Sequence, residues 1–301
     1  MKRGALEGAL EASIAAATLE PFTLLSQAPV GGGCIHSALR LEGRAADGPR
    51  TYFAKMNEAA SAPLFEAEAD GLAALRESGC VSVPRTIARG ADEERAWLVL
   101  EWLELRPLDA ASAARLGAAM AALHAQARER FGWERDNFIG ASPQSNGWST
   151  DWVAFFQERR LHAQLRMAAR NRLPSRMLDR GERLLADCPA FFSGYAPRPS
   201  LLHGDLWAGN AAATPEGLPV VFDPAVYLGD READVAMTEL FGGFPRDFLA
   251  RYCDHAPLHD GYRVRRDLYN LYHRLNHANL FAGGYVRESE MAIERLLAEL
   301  S

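Results

Sequence analysis

Three polar side chains in one short stretch could act together on a hydroxyl group beside a metal ion. Asp205 and Asn210 lie five residues apart, and Asp223 follows a short apolar run. The segment between them predicts a β-hairpin with strands at 211–213 and 218–222. Folding would bring Asn210 and Asp223 to the open end of the hairpin, where amide and carboxylate oxygens suit Mg²⁺. Asp205 would then lie beside the metal with its carboxylate facing a hydroxyl.

The spacing of these residues is that of a kinase catalytic loop. His203 and Asp205 supply the pattern His-x-Asp, Asn210 follows, and Asp223 comes after the hairpin. In kinases such an Asp accepts the proton of the attacking hydroxyl, and the Asn and the second Asp hold Mg²⁺. The alternative is an ordinary polar loop followed by a strand, so the rest of the chain must decide.

Far upstream, a lysine in a predicted strand and a glutamate on a predicted buried helix face are unusual singly but expected as a pair. Residues 51–56 have strand composition around Lys55, and residues 63–78 predict a helix. Glu68 falls within the apolar stripe of this helix, which is formed by Phe65, Ala69, Leu72 and Leu75. A buried carboxylate costs several kcal/mol unless it is paired, so we predict an ion pair between Lys55 and Glu68. Such a pair orients the nucleotide phosphates in kinases. The alternatives are a solvated Lys55 and a Glu68 at the wet edge of the stripe.

Two further segments predict contacts with a nucleotide. Gly31, Gly32 and Gly33 form a turn between possible strands, whose backbone N–H groups could cradle phosphates. A plain flexible turn is the alternative, and no Gly-Lys-Ser/Thr follows, so this is not a Walker A loop. After an apolar strand at 96–100 the chain turns polar, and we place a lobe boundary near residue 104. The carbonyl of Glu101 and the N–H of Leu103 would face the adenine edge.

The second half of the chain predicts mainly helices. Asp109 caps a helix in which His124 is expected to be structural. Residues 230–232 begin the helix after the catalytic stretch, and Asp234 could tie that helix to the catalytic loop. Residues 247–300 are predicted to be helical. Within them, residues 268–285 form a polar and aromatic face that suits either a hydroxylated substrate or a hydrogen-bonded contact between helices.

The composition narrows the functional classes. The chain has 301 residues, of which 48% are hydrophobic, and a net charge of −6 without a long basic run, so nucleic-acid binding is not expected. The four cysteines are far apart, which predicts reduced thiols in a cytoplasmic protein. Glutamates interrupt the N-terminal apolar segment, which argues against a secretory signal. No apolar run reaches membrane-spanning length.

The chain resembles the fructosamine/ketosamine-3-kinase family, within the kinase-like fold shared with aminoglycoside and choline kinases. The resemblance runs nearly from end to end and is carried by GGGCIHSAL, YFAKMN, FEAEADGLAAL, LVLEWL, HGDLWAGN and FDPAVYLGDREADVAM. It implies a two-lobed α+β fold, with a small β-rich ATP lobe at 1–104 and a larger, mainly helical lobe at 105–301. Two positions depart from the family pattern: Leu39 replaces a common aromatic residue, and Ala282 replaces a usual glycine.

The resemblance also implies roles for the candidate residues. Asp205 is the expected catalytic base, and Lys55 with Glu68 is the expected phosphate-positioning pair. Asn210 and Asp223 are the expected Mg²⁺ ligands, and the cofactors would be ATP and Mg²⁺.

The substrate side is implied in the same way. Trp207 and His203 are expected beside the substrate, which would be a ketoamine, either small or formed on a protein lysine. Phosphorylation of its 3-hydroxyl would lead to deglycation. An aminoglycoside, choline or homoserine kinase, or a nucleotide-binding pseudokinase, are the alternatives. We expect a monomer, or a redox-linked dimer through Cys34 in the glycine-rich segment.

Overall fold

The N-terminal part is built on one antiparallel sheet. The computed structural model describes residues 4–31 and 36–300. The sheet has five strands in the order β1-β2-β3-β5-β4, and every neighbouring pair is antiparallel. The elements of this part are α1 (Ala5–Thr18), β1 (Thr23–Pro29), β2 (Ser37–Ala45), β3 (Gly48–Glu58), α2 (Ala62–Glu77), β4 (Thr86–Ala91) and β5 (Arg95–Glu101).

The pleat of β3 decides where its lysine points. Successive side chains of a strand face opposite sides of the sheet. Tyr52, Ala54 and Met56 belong to the core that packs with Leu10 of α1. Lys55 lies between them in the sequence and therefore faces the other side, where α2 packs.

Helix α2 connects the sheet to the rest of the molecule. Ser61 occupies its N-cap position without a side-chain capping bond, and a proline lies in its first turn. The predicted stripe of Phe65, Ala69, Leu72 and Leu75 is buried. Gly71 lets α2 approach closely, since a Cβ there would lie 3.1 Å from the Pro224 side chain. The helix that carries Glu68 thus packs directly on the chain that follows Asp223.

The C-terminal part is mainly helical. Its helices are α3 (Ala110–Ala125), α4 (Trp152–Phe156), α5 (Ala163–Arg170), α6 (Ser175–Asp187), α7 (Arg231–Met237), α8 (Arg246–His255), α9 (Tyr262–Phe281) and α10 (Gly284–Ala298). A π-helical segment, Gln157–His162, joins α4 to α5. Its strands are β6 (Asn137–Ile139), β7 (Ser142–Gln144), β8 (Pro199–Leu202), β9 (Ala211–Ala213), β10 (Pro219–Val221) and β11 (Tyr227–Asp230).

Two of the small antiparallel pairs hold the candidate site. Strands β9 and β10 form the predicted hairpin, and β8 pairs with β11. Asp205 follows β8, Asn210 immediately precedes β9, and Asp223 lies between β10 and β11. All three side chains therefore emerge from the ends of paired strands, which fix their positions.

The β-rich N-terminal part and the helical C-terminal part agree with the expected α+β class. Strand β5 ends at Glu101 and α3 begins at Ala110, so the expected boundary near residue 104 falls in the connection between them. The division of the chain into lobes at that residue stays a prediction. Across residues 4–31 and 36–300, no helix combines the length and the apolar character that crossing a membrane requires.

Two helical glycines give a matched test of the packing. At Gly117 of α3 a Cβ would lie 2.3 Å from the backbone oxygen of Phe248 in α8, whereas at Gly8 of α1 nothing lies within 4 Å. We expect Gly117→Ala to lower the free energy of unfolding by about 1–3 kcal/mol through overpacking. Gly8→Ala should raise it by about 0.5–1 kcal/mol, because it removes only the helix penalty of glycine. Urea unfolding measures both, and equal effects of the two changes would contradict the packing of α3 on α8.

Candidate active site

Lys55 is the centre of a buried ionic contact. Its Nζ lies 2.7 Å from Glu68 Oε1 and 2.5 Å from Asp223 Oδ1. The side chains of Lys55 and Glu68 are only 8% and 11% exposed, whereas that of Asp223 is 42% exposed. The pairing expected from the helix stripe is therefore present, and a second carboxylate from the C-terminal part joins it.

The charges of this contact depend on one another. Burial alone would lower the pKa of Lys55, but Glu68 and Asp223 outweigh burial and hold that pKa above its usual range. Burial raises the pKa of Glu68, against the opposing effect of the Lys55 ammonium. Lys55 therefore stays protonated in this contact.

Asp205 and Asn210 form a second contact. The amide nitrogen of Asn210 donates to Asp205 Oδ2 at 2.8 Å and to the Asp205 backbone oxygen at 2.9 Å. The same nitrogen lies 3.5 Å from the backbone oxygen of Asp223. Burial raises the pKa of Asp205 to about 7, while the bond from Asn210 acts in the opposite direction. This carboxyl group is thus poised to exchange a proton near neutral pH.

The loop can adopt this shape only with particular backbone conformations. Gly204 has a φ of +81°, and a Cβ there would lie 2.0 Å from the Ala225 carbonyl oxygen. Asp223 has a φ of +58°, which is unusual for a residue with a side chain. Backbone strain of this kind is maintained by its surroundings and concentrates at functional sites.

Asp234 anchors the catalytic loop from below. Its carboxylate accepts hydrogen bonds from the N–H groups of His203 at 2.7 Å and Gly204 at 2.9 Å. His124 contacts the same carboxylate at 3.2 Å and Tyr252 at 2.9 Å. Burial alone would raise the pKa of Asp234, but these partners hold it below its usual range. The sequence-based expectations for Asp234 and for a structural His124 agree with this arrangement.

His203 does not lie where a substrate could reach it. His203 is 0% exposed. Nε2 lies 3.0 Å from the Phe222 carbonyl oxygen, which can only accept, and Nδ1 lies 3.3 Å from the Asp205 N–H. The expected contact of His203 with a substrate is therefore corrected, because both ring nitrogens bond to backbone atoms. Through these bonds the imidazole joins the segments that carry Asp205 and Asp223.

Trp207 remains accessible. Its ring lies over Gly209, where a Cβ would come within 2.3 Å of the indole, so the glycine permits this ring position. The ring of Phe241 lies 6.0 Å away in an edge-to-face arrangement. Trp207 is half-buried and two residues from Asp205, so a contact with a substrate stays a prediction that fits its position.

Most of the polar and aromatic segment of α9 packs against the rest of the C-terminal part. Tyr269 donates to Asp230, Tyr272 donates to Gln144 at 2.8 Å, and Asn270 donates to the Ala236 carbonyl at 2.9 Å. These bonds join α9 to α7, to the end of β11 and to β7. At the end of α9, in contrast, the aromatic rings stay partly exposed.

The expected nucleotide contacts are described only in part. Gly31 is exposed, whereas Gly32, Gly33 and Cys34 lie outside the described residues. The Glu101 carboxylate accepts a hydrogen bond from the Arg85 N–H at 2.7 Å, which fixes the end of β5. Leu103 is half-buried and follows this strand. The contacts of Glu101 and Leu103 with adenine stay predictions.

Three supporting residues were not identified from the sequence. His36 contacts the Asn57 amide at 2.8 Å and packs on the ring of Phe65 at 4.8 Å, so it joins β3 to α2 beside Lys55. Asn137 donates to the Val226 carbonyl at 2.7 Å, and Gln144 donates to the Ala225 carbonyl at 3.1 Å. These contacts hold the chain after Asp223. No local pattern reveals them, because each joins distant segments.

The donor set fits a magnesium ion that is shared with a nucleotide. The amide nitrogen of Asn210 faces Asp205, so its Oδ1 is turned away and can act as a ligand. The Asp223 carboxylate, which is partly exposed, would be the second ligand. In the described part of the chain, no three His, Cys, Asp or Glu residues cluster as a metal site. Mg²⁺ in kinases needs only one or two carboxylates together with phosphates and water.

The anchoring role of Asp234 can be tested by Asp234→Asn. The asparagine amide has one acceptor oxygen, so it can accept only one of the two loop N–H groups. That remaining bond would also lose the strength that the carboxylate charge gives it. We expect the free energy of unfolding to fall by about 2–3 kcal/mol and kcat to fall with it. The control is Asp254→Asn, because that side chain is 63% exposed. A change within about 0.5 kcal/mol for both variants would contradict the anchoring role.

Comparison with known proteins agrees with this geometry. The family model described as fructosamine kinase matches residues 7–299. The chain is 43% identical over 289 residues to a Synechocystis protein named "Probable ketoamine kinase", with 94% of each chain covered. It is 37% identical to the chloroplastic protein-ribulosamine 3-kinase of Oryza sativa subsp. indica, covering 88% of this chain and 76% of that one.

Solved structures show the same fold. A crystal structure from Haemophilus somnus 129PT, provisionally assigned as a fructosamine-3-kinase, superposes with a TM-score of 0.86 at 28% identity and covers 96% of both chains. The choline kinase LicA of Streptococcus pneumoniae shares the fold at a TM-score of 0.57 and 17% identity, covering 98% of this chain and 100% of that one. The expected kinase-like fold is confirmed. The chain belongs to the fructosamine kinase family and is an ATP-dependent kinase.

Proposed function

We propose that this protein transfers the γ-phosphoryl group of ATP to the 3-hydroxyl of a ketoamine, such as a fructosamine, ribulosamine or erythrulosamine. The family supports the acceptor class, and the rice relative bears the name of a ribulosamine 3-kinase. The observation that carries the proposal is the contact of Lys55 with both Glu68 and Asp223, beside the Asp205–Asn210 pair. These five side chains gather where the sheet, α2 and the catalytic loop meet.

Each of the five has a separate task in the proposed reaction. Asp205 accepts the proton of the 3-hydroxyl as that oxygen attacks the γ-phosphorus, and the bond between this phosphorus and the bridging oxygen of ADP breaks. Its raised pKa makes this transfer effective near neutral pH. Lys55, held by Glu68, places its charge on the α- and β-phosphate oxygens. Asn210 and Asp223 would hold Mg²⁺, which neutralises phosphate charge when bound.

The product explains why phosphorylation would remove the sugar. In the 3-phosphate, shifting a proton from carbon 1 gives a carbon 1–carbon 2 double bond that carries the amine nitrogen. The nitrogen lone pair then expels phosphate from carbon 3 and leaves an iminium at carbon 1, which water hydrolyses to release the free amine. The protein needs only to phosphorylate, and deglycation follows. We expect the reaction in the cytoplasm, where ATP is available and the cysteines stay reduced.

Other kinases of this fold are the first alternative. Aminoglycosides, choline and homoserine also carry a hydroxyl that Asp205 could deprotonate, and the fold alone does not choose among them. A pseudokinase is the second alternative. It is less well supported, because the described residues retain the proposed base, the lysine–glutamate pair and both proposed metal ligands. A panel of acceptors, assayed for ADP release, separates these readings.

The assignment of Asp205 predicts a specific kinetic defect. We expect Asp205→Asn to lower kcat by about 10²–10⁴-fold with ribulosamine, because the general base is removed while the shape is kept. The KM for ATP should change little, since Lys55, Glu68, Asn210 and Asp223 remain. The control is again Asp254→Asn, at a largely exposed side chain of α8. Wild-type turnover in Asp205→Asn would remove the assigned base, and turnover only with choline or an aminoglycoside would contradict the ketoamine assignment.

A further inference from the structure

A row of partly exposed rings extends from the catalytic loop. Trp207 lies 6.0 Å from Phe241, which lies 4.6 Å from His277. His277 in turn lies 5.1 Å from Tyr285 and 5.6 Å from Phe281. We call these five residues the aromatic row. They come from the catalytic loop, the connection between α7 and α8, the end of α9 and the start of α10.

The aromatic row differs from the aromatic core of the same part of the chain. Trp152, Phe155 and Tyr269 are each no more than 2% exposed. None of the five rings of the row belongs to a buried residue, and Phe281 is 45% exposed. Aromatic side chains left open beside a catalytic loop are available to a ligand.

The backbone around the row is strained on both sides. Phe241 has a φ of +52°, and Ala282, directly after Phe281, also has a φ of +52°. Residues with a side chain seldom adopt this conformation, and maintaining it costs about 1–3 kcal/mol each. Ala282 is the position where the family pattern has a glycine. Both conformations flank the contact with His277, and the surrounding structure must maintain them.

His277 gives the row a polar atom of defined character. Its Nδ1 lies 2.9 Å from the His273 carbonyl oxygen, which can only accept, so Nδ1 carries the proton. Burial lowers the pKa of His277, so the ring is neutral near pH 7 and its Nε2 is a lone-pair acceptor. Arg274 and Glu288, the charged groups nearest to it, pair with each other at 2.6 Å. The row therefore combines ring faces and one acceptor without a net positive charge.

We propose that the aromatic row binds the amine side of the ketoamine, which deepens and rests on the proposed function. A ketoamine carries a secondary amine that is protonated near neutral pH. Ring faces attract such a cation and pack against its alkyl or aryl group, and Nε2 of His277 accepts its N–H. With the 3-hydroxyl at Asp205, the sugar lies along Trp207, and the nitrogen substituent extends toward Phe281. Because the row ends in solvent, it accommodates a large substituent such as a lysine side chain.

The test compares acceptors that differ only in the amine. The acceptors are the N-benzyl and N-methyl adducts of ribulosamine, and ribulose without an amine. We expect Phe281→Ala to raise the KM for the N-benzyl adduct by about 3- to 10-fold and the KM for ribulose by clearly less. His277→Ala should raise the KM for both adducts, and His277→Gln, which keeps an acceptor, should restore part of the loss. Leu218→Ala is the control, because that residue is 52% exposed on the β9–β10 hairpin.

Calorimetric binding of the N-benzyl adduct to the full chain gives a readout that is independent of turnover. Weaker binding by Phe281→Ala than by wild type supports the inference. If Phe281→Ala binds the adduct more weakly than wild type does, but wild type does not phosphorylate it, the proposed function is refuted while the binding site is still supported. Equal affinity of Phe281→Ala and wild type, or an equal loss for all three acceptors, would overturn the inference.

Discussion

The arrangement of the site depends on the buried cation of Lys55, which two carboxylates share. Lys55 comes from the sheet, Glu68 from α2 and Asp223 from the segment after the β9–β10 hairpin. An isolated charge at this depth would cost several kcal/mol, so each element is stable in its place only while the others are present. The contact therefore specifies how the N-terminal sheet, α2 and the catalytic loop meet. It also leaves a cation where nucleotide phosphates would lie.

The catalytic loop is held by polar contacts that are almost completely buried. Asp234 binds the loop from α7, His203 joins its two halves, and Asn137 and Gln144 hold the chain after Asp223. Buried networks of this kind are favourable only when every polar group has a hydrogen-bond partner, because an unpaired group loses its bonds to water and gains none. The rigidity they provide positions Asp205, whose own surroundings raise its pKa. The position of the proposed base is thus set by residues that have no assigned part in the proposed reaction.

The parts of this arrangement that follow from local patterns could be predicted. The 3.6-residue period placed Glu68 on a buried face, so its pairing with Lys55 followed from the cost of an unpaired charge. Turn residues between apolar strands indicated the β9–β10 hairpin, and with it the approach of Asn210 to Asp223. Asp234 could be expected beside the loop because it lies in the first turn of the next helix.

Other features depend on contacts between distant segments and left no local signal. The burial of His203 arises from two backbone partners, one of them 19 residues away. The left-handed conformation of Asp223 reflects the tertiary fold, since aspartate has no local need for it. The aromatic row joins three segments separated by 34 or more residues. Nε2 of His277 is an acceptor because Nδ1 of the same ring donates to the His273 carbonyl oxygen.

In the proposed reaction Lys55 serves the phosphates and Asp223 the metal, so we expect a nucleotide to separate these two partners. A crystal structure with a non-hydrolysable ATP analogue and Mg²⁺ would show this. We predict that Lys55 keeps Glu68 but leaves Asp223 for the phosphates, and that Asp223 and Asn210 ligate the metal. A nucleotide bound elsewhere, or a Lys55–Asp223 contact that persists while Asp223 and Asn210 bind no metal, would contradict it.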